Sequence, residues 1–149
     1  MTDTFIMRWP ELKQQVVCEK LDHNREQFDW WVSQLPLRAI QGHIMVAGLG
    51  LYAFMVPLRQ RVSWVPRTEV IEEIRFQKDG RVDLFMPMGS VASILVKYGE
   101  FTETMSYPTF AQVREADLPA LRAVGAAVWR SEVKTKAIYT VEYLSAKGA

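Results

Sequence analysis

The fold this sequence predicts is mainly β, a small closed barrel with two short helices, and three observations predict it. Apolar residues make up 49% of the 149 positions, enough to fill a sizeable core without disulfides or metal, and the length fits a single domain over residues 1–149. Strand-like segments recur along the chain with short, turn-rich connections, about eight in all. Only two segments carry the periodicity of an amphipathic helix. An antiparallel sheet of many short strands avoids exposed edges most simply by closing on itself, with the helices plugging the ends. A two-layer α+β arrangement is the structural alternative.

Taken in order, Phe5–Trp9 and Lys13–Leu21 flank Pro10-Glu11, and the β-branched pair Val16-Val17 favours extended backbone, which reads as a hairpin. Asp22 is placed to cap a helix over 23–34, where Phe28, Trp31, Val32 and Leu35 fall at i, i+3, i+4 and i+7 before Pro36; Trp30-Trp31 read as core anchors. From Leu37 to Ala47, Arg38, Ile40, Ile44 and Val46 share one strand face and Gln41 and His43 the other, with Gly48-Leu49-Gly50 as the turn into Leu51–Val56. Pro57 and Pro66 bracket a loop. Val70–Gln77 and Arg81–Met86, joined through Asp79-Gly80, read as a third hairpin, although Glu72 and Glu73 leave a helical turn open. Val91–Tyr98 reads as a buried strand stopped by Gly99, and Glu100–Pro108 as a longer loop. Asp117 caps a second helix with Pro119 in its first turn and Leu118, Leu121, Val124 and Val128 along one face. Val133–Leu144 is the last strand, and 145–149 a frayed tail.

Composition removes several function classes. Lys and Arg number 18 against 17 Asp and Glu, so the net charge of +1 offers no field to gather phosphate backbones or anionic lipid, and neither nucleic acid nor a membrane is expected as partner. Cys18 is the single cysteine, sits in an apolar run, and fits a buried residue in a reducing compartment. The N-terminus lacks the charged and apolar regions of a secretory signal, Asn24 lies in no glycosylation sequon, and a cytoplasmic location is the expectation. Two histidines and one cysteine cannot supply a structural zinc site, so no metal is expected. Gly48-Leu49-Gly50 lacks the third glycine of a dinucleotide fingerprint, no Walker A sequence occurs, and Gly89-Ser90 has no nucleophile-elbow flanks; no cofactor is expected.

Three groups remain as candidate chemistry. Tyr98-Gly99-Glu100-Phe101-Thr102-Glu103 sets a phenol, two carboxylates and a hydroxyl at the end of an apolar strand, where a barrel mouth presents them to a ligand. A carboxylate partly desolvated by Phe101, Tyr98 or Tyr107 suits general acid/base work near neutral pH; the plainer reading is a solvated turn. His43 is either a proton shuttle facing the lumen or a hydrogen-bonded structural residue. Arg59, Arg61 and Arg67 surround Trp64 in the proline-bracketed loop, with Arg38 on the neighbouring hairpin, a set that can clamp a carboxylate while the indole covers an organic ligand. A solvated loop or a subunit contact is the alternative.

The run Pro87-x-Gly89, an apolar strand ending in Tyr98-Gly99, Glu103, then Pro108 and Phe110–Val113 resembles a segment of small bacterial cyclophilin-like proteins. The early helix ending at Leu35-Pro36 with a hairpin after it is similar to the same family, and the similarity runs from about Asp22 to Leu144 through short, degenerate motifs. The resemblance implies a cyclophilin-like closed antiparallel barrel of about eight strands with a helix at each end. It does not imply proline isomerase activity, because the Phe-His-Arg and Gln-Phe-Phe elements of true cyclophilins are absent from the sequence. Cucumopine synthase has a similar barrel and condenses histidine with 2-oxoglutarate through an imine, closing a ring without a redox cofactor. By that analogy of fold the chain is expected to be a cofactor-independent lyase or isomerase of a small carboxylated metabolite. Glu103, at the family's acidic position, would be the acid/base, Tyr98 an orienting donor and His43 a shuttle; Glu100, Thr102, Tyr107 and the Arg and Trp set would bind substrate. The alternative is a noncatalytic ligand-binding module or a homo-oligomeric assembly unit.

Overall fold

Hydrogen-bonded pairings carry the chain around a closed circuit. The computed structural model describes residues 2–45, 47–60, 66–88 and 90–148. Its strands are β1 (Thr4–Trp9), β2 (Gln14–Lys20), β3 (Leu37–His43), β4 (Gly48–Pro57), β5 (Ile71–Glu73), β6 (Arg81–Met88), β7 (Val91–Phe101), β8 (Ser106–Val113) and β9 (Tyr139–Ser145), with helices α1 (Arg25–Gln34) and α2 (Leu118–Arg130). Eight of the strands form an antiparallel barrel in the order β2-β1-β9-β3-β4-β7-β6-β8, closed by β2–β8, while β5 adds to β8 outside the ring. No helix among the described residues is long and apolar enough to cross a membrane.

Strand alternation fills the barrel. Phe5, Met7 and Trp9 of β1, Val16 and Cys18 of β2, Val82 and Leu84 of β6, Phe110 of β8 and Val141 and Tyr143 of β9 point inward and are buried. α1 closes over them with Phe28 and Trp31, and Trp31 meets the Tyr143 ring edge-on at 5.0 Å. α2 contributes Leu121, Val124 and Val128 as the apolar stripe anticipates, with Leu118 at its margin. The first hairpin forms as expected, turning through Pro10–Leu12 with Lys13 in the left-handed region.

Several boundaries differ, each for a tertiary reason. α1 begins at Arg25 with Asn24, not Asp22, at its N-cap; Asn24 has φ +51° and its side chain reaches across to the 69–70 segment and β8. Gly48 and Gly50 lie within β4, paired with β7, and not in a turn; a Cβ at either would collide with the Phe101 ring, at 2.3 Å for Gly48. Phe101 thereby extends β7 along β4, and β8 starts at Ser106, so the loop expected over Glu100–Pro108 shrinks to Thr102–Met105.

The third hairpin does not form. Asp79-Gly80 does turn, with Gly80 at φ +91°, but β5 pairs with β8 and the Ile74–Gln77 segment folds into a tight turn. Three of its carbonyls, those of Ile74, Arg75 and Gln77, converge on Lys97 Nζ at 2.9, 3.0 and 2.7 Å. Asp117 precedes α2 without capping it; its carboxylate instead accepts the Val17 backbone N–H at 2.8 Å. The last strand starts at Tyr139, since α2 runs on into a π-helical turn over Ser131–Thr135 pinned by Ser131 Oγ donating to Val128 O. Ala146–Gly148 forms a short 3-10 turn where the sequence suggests a frayed tail.

Candidate functional site

The residues singled out in the sequence fall into separate neighbourhoods. Alternation along β3 turns Gln41 and His43 inward and leaves Arg38 and Ile40 in solvent. His43 Nδ1 lies 2.6 Å from Ile44 O, which only accepts, so Nδ1 carries the hydrogen; Nε2, 2.6 Å from the Tyr98 hydroxyl, accepts its O–H. Glu132 Oε1 accepts the His43 backbone N–H at 2.8 Å, and the Trp129 ring lies 4.9 Å from the imidazole. Burial holds the His43 pKa below the usual histidine value, against the Ile44 bond and the Glu132 charge, and burial raises that of Tyr98. This inner pair is a neutral, closed hydrogen bond beneath α2.

Glu103 belongs to the outer face. There β4, β7, β6 and β8 present Tyr52, Leu95, Phe85 and Tyr107, with Phe85 and Tyr107 4.2 Å apart and Phe85 and Tyr52 5.9 Å apart between ring centres. The Tyr107 hydroxyl donates to Glu103 Oε1 at 2.8 Å. Burial, the Glu103 bond and the Glu103 charge push the Tyr107 pKa far above the ordinary phenol range, which keeps this O–H a donor. Phe54 and Met105 stand exposed at the border. The result is a half-open aromatic surface with one carboxylate at its edge, suited to covering a planar ring and moving a proton beside it.

Under β5 lies a polar layer. Glu72 Oε1 accepts from Arg81 Nε at 3.1 Å and from Thr109 Oγ1, and His23 Nε2 lies 2.9 Å from the same Thr109 hydroxyl. Asp83 is fully buried in this layer, and Lys97 caps the Ile74–Gln77 turn. Neither residue carries a local sequence signal beyond a charge inside an apolar strand, in Val82-Asp83-Leu84 and Leu95-Val96-Lys97-Tyr98.

Glu100 and Thr102 line a cleft of about 360 Å³ shared with Arg75, Asp79, Lys97 and Phe101, next along the chain from Glu103. Of the arginine set, Arg59 donates to Leu35 O at 3.0 Å, Arg38 stands on β3 with its residue exposed, and Arg67 is exposed. Arg61 and Trp64 lie outside the described residues. Tyr98 and Glu103 do not meet, because Tyr98 faces the core and Glu103 bonds to Tyr107 on the outer surface. Among the described residues no group of three or more His, Cys, Asp or Glu side chains is placed to hold a metal ion.

Comparison with solved structures finds this barrel again in the structure of McbB in complex with tryptophan, with a TM-score of 0.83 and 25% sequence identity over 97% of this chain. The chain has the fold of the part of McbB that it matches. It spans 45% of the McbB chain, so less than half of that protein has a counterpart here. A scan of protein-family models and a search of curated proteins each find no match. The McbB match extends over the β-barrel and both helices, and McbB holds a small molecule, tryptophan.

Proposed function

We propose that this chain binds a small carboxylated metabolite bearing an aromatic ring on the outer face of β4, β6 and β8 and acts on it by acid/base chemistry, as a lyase or isomerase without a redox cofactor. The observation that carries this reading is the Glu103–Tyr107 hydrogen bond at the edge of an open aromatic surface. Tyr52, Phe85 and Tyr107 offer faces and edges to a ring, Glu103 takes or returns the proton, and the Tyr107 O–H orients its carboxylate. The tryptophan bound by McbB, a protein of the same fold, supports an aromatic amino acid or its 2-oxo counterpart as ligand class. Arg75, which lines the neighbouring cleft with Thr102 and is paired with Glu73, is a cation that can turn to a ligand carboxylate. The cyclophilin-like resemblance, with cucumopine synthase as a cofactor-independent enzyme of similar barrel, supports the reaction type.

A thermal-shift screen of tryptophan, other aromatic amino acids and 2-oxo acids tests the binding, since a ligand at a hundred times its Kd adds about 2.7 kcal/mol of stability. Glu103→Gln should keep that stabilisation and lower turnover of the identified ligand by about 100-fold or more. Absence of stabilisation by every aromatic acid, or full turnover in Glu103→Gln, overturns the reading. A second reading rests on the exposure of Phe54 and Met55 beside Tyr52: the same face closes against another copy of the chain in a noncatalytic assembly. Sedimentation showing a dimer that Phe54→Glu dissociates, with no ligand bound, would favour it.

A further inference from the structure

β6 turns Val82 and Leu84 into the barrel and Asp83 outward, beneath the Ile74–Gln77 turn. The Asp83 residue is 0% exposed, and both carboxyl oxygens lack a hydrogen-bond donor among the described residues. Its neighbour Gln77 is buried too; Gln77 Nε2 donates to Glu72 O at 3.1 Å, while Oε1 has no donor among the described residues. The local cations are committed elsewhere. Lys97 of β7 spends its three N–H bonds on the carbonyls of Ile74, Arg75 and Gln77, and Arg81 of β6 is turned to Glu72 and Gln112. A buried carboxylate and a buried amide oxygen without donors are costly, and one proton on Asp83 removes the charge and supplies a donor of the kind that Gln77 Oε1 lacks.

We propose that Asp83 is held as a carboxylic acid whose O–H bridges to Gln77 Oε1, and that with Lys97 it forms a proton-dependent latch fixing the Ile74–Gln77 turn and β5 to the barrel wall. The Asp83 side chain is faced by Gln77 from the turn, Glu72 from β5, Arg81 from its own strand, Lys97 from β7 and Tyr107 from β8. Burial pushes its carboxyl well above the usual range and the Glu72 charge reinforces that, against the Arg81 and Lys97 charges. Loss of the proton sets a carboxylate against the Gln77 carbonyl oxygen and draws the Lys97 ammonium away from the three turn carbonyls. The turn then loses both fastenings at once, and the border of the aromatic face loosens. The latch is a property of the chain with or without a substrate.

Infrared spectroscopy of the intact chain tests the protonation. The carbonyl stretch of a carboxylic acid, which stands clear of the amide bands, should be present at neutral pH and vanish in Asp83→Asn, whose amide can still donate to Gln77. Gln77→Met should keep the band and move it to higher frequency, which tests the bridge should Asp83→Asn fold poorly. Hydrogen exchange tests the latch: the Phe76 and Gln77 amides donate to Glu73 O at 3.0 and 3.2 Å. Their protection, corrected for intrinsic exchange, should fall about tenfold as rising pH takes the proton from the acid in the natural chain and stay level in Asp83→Asn. A missing acid band means that Asp83 is ionised and satisfied by water or a cation, and overturns the proposal. Protection in the natural chain that does not change with pH overturns the latch.

Discussion

Asn24 holds four hydrogen bonds with one side chain. Its Nδ2 donates to Val70 O and Thr109 O at 2.7 and 2.8 Å, and its Oδ1 accepts the backbone N–H groups of Glu69 and Val70 at 2.7 and 3.1 Å. The positive φ that the site demands is one that asparagine tolerates better than most residues. Asn24→Ala strands buried backbone groups on two other segments, and chemical denaturation should show a loss of about 3 kcal/mol. A loss under about 1 kcal/mol would mean that water replaces the side chain there. Nothing in the neighbouring sequence announces this role, because all four partners come from residues 69, 70 and 109. Glu103 and Tyr107 are closer to legible: they flank one short connection and Tyr107 is among the residues expected to desolvate a carboxylate there, although the donor that the sequence suggests for Glu103 is Tyr98. Asp83 and Phe85 are not legible, since which face of β6 they occupy depends on a register with β8 that no local pattern specifies.

At the scale of elements, the first hairpin, both helices and the apolar strand β7 follow from periodicity and turn residues, because neighbours in sequence supply their contacts. The third hairpin fails because Lys97, distant in sequence, gathers the carbonyls that a ladder would have used. β3 defies the usual polarity rule in a telling way: Ile40 is 64% exposed while His43 is buried, since the inner face has Tyr98 to satisfy the imidazole. The fit of α2 over that pair depends on Gly125, where a Cβ would lie 2.4 Å from the Tyr98 ring. Gly125→Ala gains about 1 kcal/mol of helix propensity and loses about 1–3 kcal/mol to overpacking. The expected result is a lower Tm with a changed near-ultraviolet tyrosine signal; an unchanged or raised Tm would show that α2 does not rest on Tyr98.

For the whole molecule, two buried groups bend the stability profile in opposite senses. His43 is neutral in the fold with its pKa lowered, so the unfolded chain takes up the extra proton; its contribution is complete above about pH 6.5 and is lost as pH falls through the folded-state value. Asp83, with its pKa raised, contributes fully below about pH 3.9 and loses that contribution as pH rises through its folded-state value. His43→Gln should therefore flatten the fall of Tm as pH drops below about 6.5 even though it lowers Tm at neutral pH. Equal slopes in the two proteins would place the acid sensitivity elsewhere.

The barrel's closing seam has a kinetic meaning. β1 and β2 meet through six register pairs across a tight turn, but β2 and β8 meet through three, Cys18↔Val113, Glu19↔Gln112 and Lys20↔Ala111, between strands far apart in the chain. Bringing them together requires the intervening strands to be in place first, so the entropic cost of that closure falls late in assembly. Folding should be correspondingly slow for the size of the chain, and before the seam zips, two unpaired strand edges face solvent at once. The interval before closure, and not the finished barrel, is when the chain is most open to pairing with a neighbour.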